Sequence, residues 1–319
     1  SLTVSLPEVA IWLIAMLGAL RLKAYAHGIL HNQDGRGLND IADALILLVI
    51  LGAAMLAPVR WPLLAIFVLM STLACWEWER LSLSQEQQRW AWPLALLNGA
   101  LMLWLSVYWY ETGPQGQAAD LVYRGLVPLM AALWIVGATG LVLQGQATQR
   151  AQGVLLSVMG VLAPLVAWAS LYLFLHTQGI VYVLSLLVLI WVADIAAYFA
   201  GRAFGKAKLA PRVSPGKTWA GAVGGMVAAA AWMLISANWA GSFGADVLQR
   251  WGWVATAALS VALAALSIVG DLFESLLKRR AAVKDSSQLL PGHGGVYDRI
   301  DALLPVAPVA LLLSGAWLF

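Results

Sequence analysis

The stretch GIVYVLSLLVLIWVADIAAYFA occupies residues 179–200 and carries a single charged side chain, Asp194. About 20 predominantly apolar residues are enough for an α-helix to cross the hydrocarbon core of a bilayer. The stretch lacks the strict alternation of apolar and polar residues that a membrane β-barrel strand shows. It therefore predicts a transmembrane helix, and similar runs recur along the chain.

The composition agrees with this prediction. The chain is 61% hydrophobic and only 11% charged, whereas a soluble domain carries roughly 25% charged residues. We predict an all-α, polytopic integral membrane protein with about nine to ten transmembrane helices. Its single cysteine, Cys75, lies in an apolar run and excludes an intrachain disulfide. The ten candidate spans are 9–25, 41–58, 62–79, 91–109, 125–143, 153–175, 179–200, 218–237, 252–272 and 302–318.

The N-terminal run also has features of a signal peptide. Residues 9–20 are apolar, and Ala24-Tyr25-Ala26 is similar to a cleavage site. However, Glu8 precedes the run while Arg21 and Lys23 follow it, and a signal peptide carries its positive charge first. We therefore predict a membrane helix here.

The positive charges are distributed unevenly. If the loops alternate between the two sides of the membrane, sixteen of the nineteen Lys and Arg residues fall on one side, and Arg60, Arg124 and Arg250 fall on the other. Because positively charged loops are retained in the cytoplasm, the first side is predicted to be cytoplasmic. Both termini then face away from the cytoplasm.

The first polar segment, residues 201–218, holds five cations, three glycines and two prolines. Lys and Arg side chains bind phosphate, and a helix that begins after Thr218 offers free N–H groups to an anion. Gly216-Lys217-Thr218 is similar to the end of a P-loop, but the upstream glycine spacing and a preceding strand are missing. The alternative is a basic anchor that only fixes topology. We predict substrate binding by Arg202, Lys206, Arg212, Ser214, Lys217 and Thr218.

The second polar segment, residues 270–301, contains five of the sixteen carboxylates and the glycine-rich sequence Gly292-His293-Gly294-Gly295. Asp271 ends an apolar helix, and Asp298 and Asp301 are three residues apart, so they share a face if a helix begins here. Mg²⁺ takes oxygen ligands and binds through a few carboxylates together with substrate phosphates. The segment therefore predicts a magnesium site. N-capping of the last helix by Asp298 or Asp301 is the alternative.

Two further acids lie in predicted spans, where ionisable residues are costly and mark function. Asp194, Tyr198 and Arg202 recur every four residues on one helix face. Glu77 lies near the end of its span with Arg80 three residues on, so a local ion pair and a role in the site are both open. His293, a single histidine in a glycine loop, is predicted to donate a hydrogen bond to phosphate.

Three stretches resemble the phosphatidate cytidylyltransferase (CDP-diacylglycerol synthase) family. The first joins Ser275-Leu276-Leu277-Lys278-Arg279, Lys284-Asp285 and the continuous stretch 291–301, which begins Pro291-Gly292-His293; the others are 194–219 and Trp76-Glu77-Trp78. The similarity runs from about residue 41 to the end. We therefore predict an extra N-terminal helix and loop at 1–40, and a membrane-embedded cytidylyltransferase domain at 41–319 with its catalytic region at 194–301.

The resemblance implies transfer of the cytidylyl group of CTP to phosphatidic acid at a cytoplasm-facing polar cavity, in a bacterial inner membrane. It also implies Mg²⁺, with a monovalent cation such as K⁺ beside it, and a homodimer; no nucleic acid is expected as a partner. The catalytic residues predicted are Asp271, Ser275, Lys278, Arg279, Lys284, Asp285, His293, Asp298 and Arg299. Asp194, Gly294 and Gly295 join the substrate-binding set, and the metal ligands predicted are Asp271, Asp298 and Asp301.

Two other classes of protein stay open. A CTP-dependent lipid-alcohol kinase would use similar nucleotide chemistry but would transfer the γ-phosphate. A transporter would also have many spans and intramembrane acids. The polar residues cluster on one membrane face, however, and no inverted repeat or pair of broken helices is visible in the sequence.

Overall fold

The computed structural model describes residues 61–147, 153–289 and 294–316. Within these ranges the chain is mainly helical, and seven helices are long and apolar enough to cross a membrane. The helices are α1 (Trp61–Ser82), α2 (Ala91–Thr112), α3 (Gln117–Gln144), α4 (Val154–Thr177), α5 (Ile180–Phe204), α6 (Trp219–Ser236), α7 (Phe243–Arg280), α8 (Tyr297–Ile300) and α9 (Leu303–Ser314).

The predicted spans between residues 62 and 272 each fall on one of these seven helices. The largest difference is in α7, where the predicted span 252–272 is part of a helix of 38 residues with a kink at Gly252. The predicted span 302–318 corresponds to α9, which has 12 residues. The spans 9–25 and 41–58, and the predicted N-terminal unit 1–40, lie outside the described residues.

One element in the described part of the chain departs from the all-helical prediction. Strands β1 (Lys208–Ala210) and β2 (Ser214–Thr218) form an antiparallel hairpin in the polar segment 201–218, for which the sequence predicts no strand. Thr218 then caps α6, since its hydroxyl accepts a hydrogen bond from the Gly221 N–H at 3.2 Å. The cap satisfies one of the free N–H groups at the helix start, so the hairpin leads directly into α6.

Helices α5 and α6 pack closely because small residues face each other. A Cβ atom added to Gly225 would lie 2.8 Å from the carbonyl oxygen of Ala193, and one added to Gly221 would lie 2.7 Å from that of Ala197. Small residues allow this close approach in membranes, where lipid supplies little hydrophobic drive between helices. The packing fixes the hairpin, which joins the two helices, beside the end of α5.

Trp78 lies at the centre of an aromatic cluster that joins four elements. Its ring centroid is 5.9 Å from that of Trp134 on α3, 5.4 Å from Phe273 on α7 and 5.1 Å from Tyr297 on α8. The Trp78 indole N–H also donates to the carbonyl of Leu156 on α4 at 2.9 Å. These fully buried rings hold α1 and α7 in register at the end of the bundle that carries the polar segments.

The connections between helices form two groups at opposite ends of the bundle. At one end, Arg280 donates to the carbonyl of Gln146 and Arg279 to that of Val213, so the α3–α4, hairpin and post-α7 segments meet. At the other end, Tyr182 donates to Asp246 at 2.8 Å and Trp251 to the carbonyl of Leu313. The polar segments predicted to carry chemistry therefore lie together at one end.

Candidate active site

Three carboxylates converge where α7 meets the turn before α9. Oxygen atoms of Asp271, Glu274 and Asp301 lie within 4.8 Å of one another. Asp271 and Glu274 are three residues apart on α7 and share a face. Asp301 is brought against them because Gly270 has no side chain: an added Cβ atom would collide with the Asp301 carbonyl. We call these three residues the acid cluster.

Lys217 on β2 closes one side of the acid cluster. Its Nζ lies 2.5 Å from Oδ2 of Asp271, and both side chains are only partly exposed. Burial lowers the pKa of Lys217, but the adjacent Asp271, with Asp194 and Asp301 further away, outweighs it and raises the pKa. Lys217 is therefore held as a cation at the cluster, and Asp194 of α5 adds its charge to the same group.

The crowding of carboxylates changes the pKa of Asp301. Burial, together with the charges of Asp271 and Asp194, raises the pKa of Asp301 well above its usual range. Carboxylates that crowd one another in this way disfavour full ionisation unless a cation compensates them. The cluster is therefore a place where bound positive charge is strongly favourable.

Lys278 links the acid cluster to Asp298. Its Nζ lies 2.8 Å from Oε2 of Glu274 and 2.6 Å from Oδ1 of Asp298. The other oxygen of Asp298 accepts from the N–H and hydroxyl of Ser286 and from the Gly295 N–H, at 3.2, 2.8 and 2.8 Å. Both oxygens of Asp298 are thus engaged. Its predicted role as a metal ligand stays a prediction, and Glu274 takes its place in the observed group.

Glu77 forms hydrogen bonds with residues that precede and follow the glycine-rich sequence, and not with Arg80. Its carboxylate is fully buried and accepts from the hydroxyls of Ser286 and Ser287 and from the N–H groups of Val296 and Tyr297. The alternative of a local pair with Arg80 is wrong, because the Arg80 guanidinium lies 4.8 Å from the centre of the Trp76 ring. A cation over an indole face is a stable arrangement without an acid.

Gly294 and Gly295 lie beside Asp298 and Glu77, and their substrate binding stays a prediction. A Cβ atom added to Gly295 would collide with Ser286 and Glu77, and Gly294 has a φ of +81° with Asp298 beside it. The backbone therefore comes close to Glu77 and Asp298, and glycine is needed for that contact. His293 lies outside the described residues.

The remaining predicted residues surround this centre. Ser275 is half-buried on α7, four residues from Asp271 and on the same side of the helix. Arg202 donates to Tyr198 at 3.4 Å, one turn back on α5. Thr218 is buried as the α6 cap, and Ser214 begins β2. The exposed members are Arg202, Lys206, Arg212, Arg279, Lys284, Asp285 and Arg299.

The donor set of the acid cluster fits a hard divalent cation. All three side chains offer carboxylate oxygens, which Mg²⁺ prefers. Oε1 of Glu274 is buried and has no hydrogen-bond partner among the described residues. A buried unpaired carboxylate oxygen is costly, and a cation among the three side chains would satisfy it.

Fold and site together define a polytopic helical membrane protein with an acidic, cation-lined centre at one end of its bundle. A model of the cytidylyltransferase family matches residues 41–316, and the chain belongs to that family.

Curated relatives agree with this assignment. The phosphatidate cytidylyltransferase of Pseudomonas aeruginosa is 43% identical over 259 residues, which cover 77% of this chain and 86% of that protein. That of Haemophilus influenzae is 48% identical over 131 residues, 41% of this chain and 44% of that protein. That of Brucella suis is 47% identical over 138 residues, 43% of this chain and 48% of that protein. The last two matches span about half of the relative's length.

Proposed function

We propose that this chain transfers the cytidylyl group of CTP to phosphatidic acid, giving CDP-diacylglycerol and pyrophosphate. The observation that carries the proposal is the acid cluster of Asp271, Glu274 and Asp301 with Lys217 and Lys278 at its edges. In a member of the cytidylyltransferase family, this arrangement suits a reaction between two phosphate-bearing substrates. The related phosphatidate cytidylyltransferases support the choice of phosphatidic acid as the acceptor.

The main obstacle to this reaction is the repulsion between two anions. A phosphate oxygen of phosphatidic acid attacks the α-phosphorus of CTP, and the bond from that phosphorus to the oxygen bridging to the β-phosphorus breaks. The acceptor is already an anion, so it needs little help from a general base. Positive charge placed around the transferring group lowers the barrier. Lys217 and Lys278 are half-buried cations that pair with members of the acid cluster.

We propose that Asp271, Glu274 and Asp301 hold Mg²⁺. The ion would neutralise phosphate charge and favour departure of pyrophosphate when bound. A monovalent cation such as K⁺ beside it stays a prediction. So does homodimer formation.

The exposed cations of the hairpin region are proposed to hold the triphosphate of CTP. Lys206, Lys208 and Arg212 are exposed in the segment that leads into Lys217, so they lie along the approach to the acid cluster. Charges here would draw an anionic nucleotide toward the site. The lipid acceptor would keep its acyl chains in the bilayer beside the helices.

We further propose nine to ten transmembrane helices in a bacterial inner membrane, with the acid cluster facing the cytoplasm. The seven apolar helices and the grouping of basic segments at one end of the bundle support this orientation, because positive loops are retained in the cytoplasm.

The test is product analysis with the purified protein. CTP labelled at the α-phosphate is incubated with phosphatidic acid and Mg²⁺ in detergent micelles, and lipid and aqueous products are separated. We expect labelled CDP-lipid and an equal amount of pyrophosphate, and none from an Asp271→Asn variant. In a parallel incubation with diacylglycerol in place of phosphatidic acid, formation of labelled CDP and a new lipid phosphate would instead identify a lipid kinase and refute the proposal.

A further inference from the structure

Glu77 lies on α1, far in sequence from the acid cluster, yet its carboxylate receives four hydrogen bonds from residues 286–287 and 296–297. We propose that Glu77 is a positioning residue for the reaction: acting through Ser286, it holds Asp298 in place against Lys278. The expected effect on kcat rests on the proposed function. The claim that Glu77 holds Asp298 in place rests on the geometry alone.

The four donors make Glu77 difficult to replace. Oε1 accepts from the Ser287 hydroxyl at 2.6 Å and the Val296 N–H at 3.0 Å, while Oε2 accepts from the Ser286 hydroxyl at 2.8 Å and the Tyr297 N–H at 2.6 Å. An ionised carboxylate only accepts, so it matches four donors. A glutamine would point N–H groups at a backbone N–H, which cannot reverse its direction. The charge-neutral replacement therefore breaks the arrangement.

Ser286 connects Glu77 to Asp298. Its hydroxyl oxygen lies 2.8 Å from Oε2 of Glu77 and 2.8 Å from Oδ2 of Asp298, and its backbone N–H reaches the same Oδ2 at 3.2 Å. A hydroxyl has one proton, so it donates to one carboxylate at a time. When it donates to Glu77, the backbone N–H still donates to Asp298. The residue thereby fixes the spacing between the two acids.

The connection continues to the acid cluster. Oδ1 of Asp298 lies 2.6 Å from Lys278 Nζ, which lies 2.8 Å from Oε2 of Glu274. A shift of Asp298 would release Lys278 from one of its two partners and change the charge beside the transferring phosphate. Because small displacements at a reacting centre lower the rate strongly, Glu77 would act on kcat through Ser286 and Asp298.

Two neighbouring serines provide a matched pair of variants. Ser286→Ala removes a hydroxyl that reaches both Glu77 and Asp298, whereas Ser287→Ala removes one that reaches Glu77 and the Leu289 N–H. We expect Ser286→Ala to lower kcat about tenfold, since a hydrogen bond to a charged group is lost, with the KM for CTP within about twofold. Ser287→Ala is expected to keep kcat within about twofold of the parent protein.

A second measurement does not depend on activity. Val296 is buried, and Cys75 is the only cysteine of the chain. In a Val296→Cys protein with Cys75→Ser, the rate of maleimide labelling therefore reports how often the backbone at Val296 and Tyr297 separates from Glu77. We expect Glu77→Gln to raise that rate and to lower kcat, and Glu86→Gln, which neutralises an exposed carboxylate in the loop after α1, to change neither.

Equal kcat for the parent and Ser286→Ala proteins would overturn the proposal, even if Glu77→Gln unfolds the protein. A labelling rate at position 296 unaffected by Glu77→Gln would overturn it as well. If the parent protein makes no CDP-lipid, the proposed function fails, and the labelling comparison still decides whether Glu77 holds this segment.

Discussion

Glu274 is the member of the acid cluster on which the metal proposal can be tested most sharply. Its side chain is 3% exposed, with Oε2 at 2.8 Å from Lys278 Nζ and Oε1 buried without a hydrogen-bond partner among the described residues. Glu274→Gln removes the charge at almost constant volume. The amide oxygen can still accept from Lys278, and Lys278 keeps Asp298 as its other partner.

The expected size of the effect follows from the unpaired oxygen. Leaving a buried polar group unsatisfied costs about 1–3 kcal/mol. If a bound cation satisfies Oε1 of Glu274, the free energy recovered adds to the affinity of the site for that cation. Since about 1.4 kcal/mol corresponds to a factor of ten, Glu274→Gln should weaken Mg²⁺ binding about 5- to 150-fold. The metal-free protein should lose little stability, because the glutamine oxygen can still accept from Lys278, which also keeps its ion pair with Asp298.

Two measurements on the purified protein test this estimate. The rate of CDP-lipid formation is titrated with Mg²⁺, and the Tm is recorded with and without Mg²⁺. The concentration for half-maximal rate should rise by the factor above, and the rise in Tm caused by Mg²⁺ should shrink. Glu86→Gln is the control, because it removes an exposed carboxylate outside the cluster.

An unchanged Mg²⁺ titration in Glu274→Gln, together with an unchanged Mg²⁺-dependent Tm, would refute the assignment of this residue as a ligand. A loss of Tm in the metal-free variant would contradict the reasoning separately. It would show that the ion pair of Glu274 with Lys278 stabilises the metal-free protein.

Three further expectations follow from the site and the bundle. Lys217→Arg should keep expression but raise the KM for CTP or lower kcat, and Lys217→Ala should cost about 2–5 kcal/mol in kcat/KM; unchanged kinetics in both would make the hairpin a topological anchor. In a cysteine-free background, single cysteines in 203–216 should be labelled from the cytoplasm and those in 240–250 only from the other side, and the opposite pattern would refute the orientation. Burial raises the pKa of Asp298, but its contacts with Lys278 and the Gly295 N–H outweigh that effect and lower the pKa. Its ionisation therefore stabilises the fold fully above the unfolded-state pKa of about 3.9, and this stability is lost as the pH falls from there toward the lower folded-state pKa. The Tm difference between the parent and Asp298→Asn proteins should stay constant from about pH 6 to about pH 5 and shrink as the pH falls below about 4.

The membrane helices could be predicted because their signal is local. Each span in the described residues between 62 and 272 is an apolar run whose backbone satisfies its own hydrogen bonds. The first turns of α7 were missed, because Asp246 and Arg250 make this stretch polar. Their charges are compensated by an ion pair of 2.9 Å and by the Tyr182 hydroxyl, 64 residues away from Asp246. A hydropathy pattern does not contain that pairing.

The hairpin was missed for a related reason. Lys208–Ala210 has only three residues, and Ser214–Thr218 contains Pro215 and Gly216, residue types that are depleted in strands. Their pairing depends on the tight packing of α5 against α6, which brings the two ends of the segment together. The cap by Thr218, in contrast, was predicted as a helix entry because its cause is local.

The acid site could be predicted in part. Asp271 and Asp301 were expected to lie together, and the structure brings them together. Glu274 was left out, although its spacing of three residues from Asp271 places both on one helix face and was a usable signal. The contact of Glu77 with Tyr297 joins residues separated by 220 positions. Nothing in the spacing of residues along the chain indicates such a contact.

The difference between Glu274 and Asp298 shows what a sequence lacks for choosing metal ligands. Both are carboxylates beside Lys278, and both lie in the same polar segment. Asp298 has Lys278 on one oxygen and, on the other, two N–H donors and the Ser286 hydroxyl that it shares with Glu77. Glu274 has Lys278 on one oxygen and no donor among the described residues on the other. A carboxylate whose acceptor capacity is already filled by N–H and O–H groups gains little from a cation, while one with an unsatisfied buried oxygen gains most. The supply of donors around each acid, which only the fold determines, therefore distinguishes the acids that could serve as ligands of the proposed Mg²⁺.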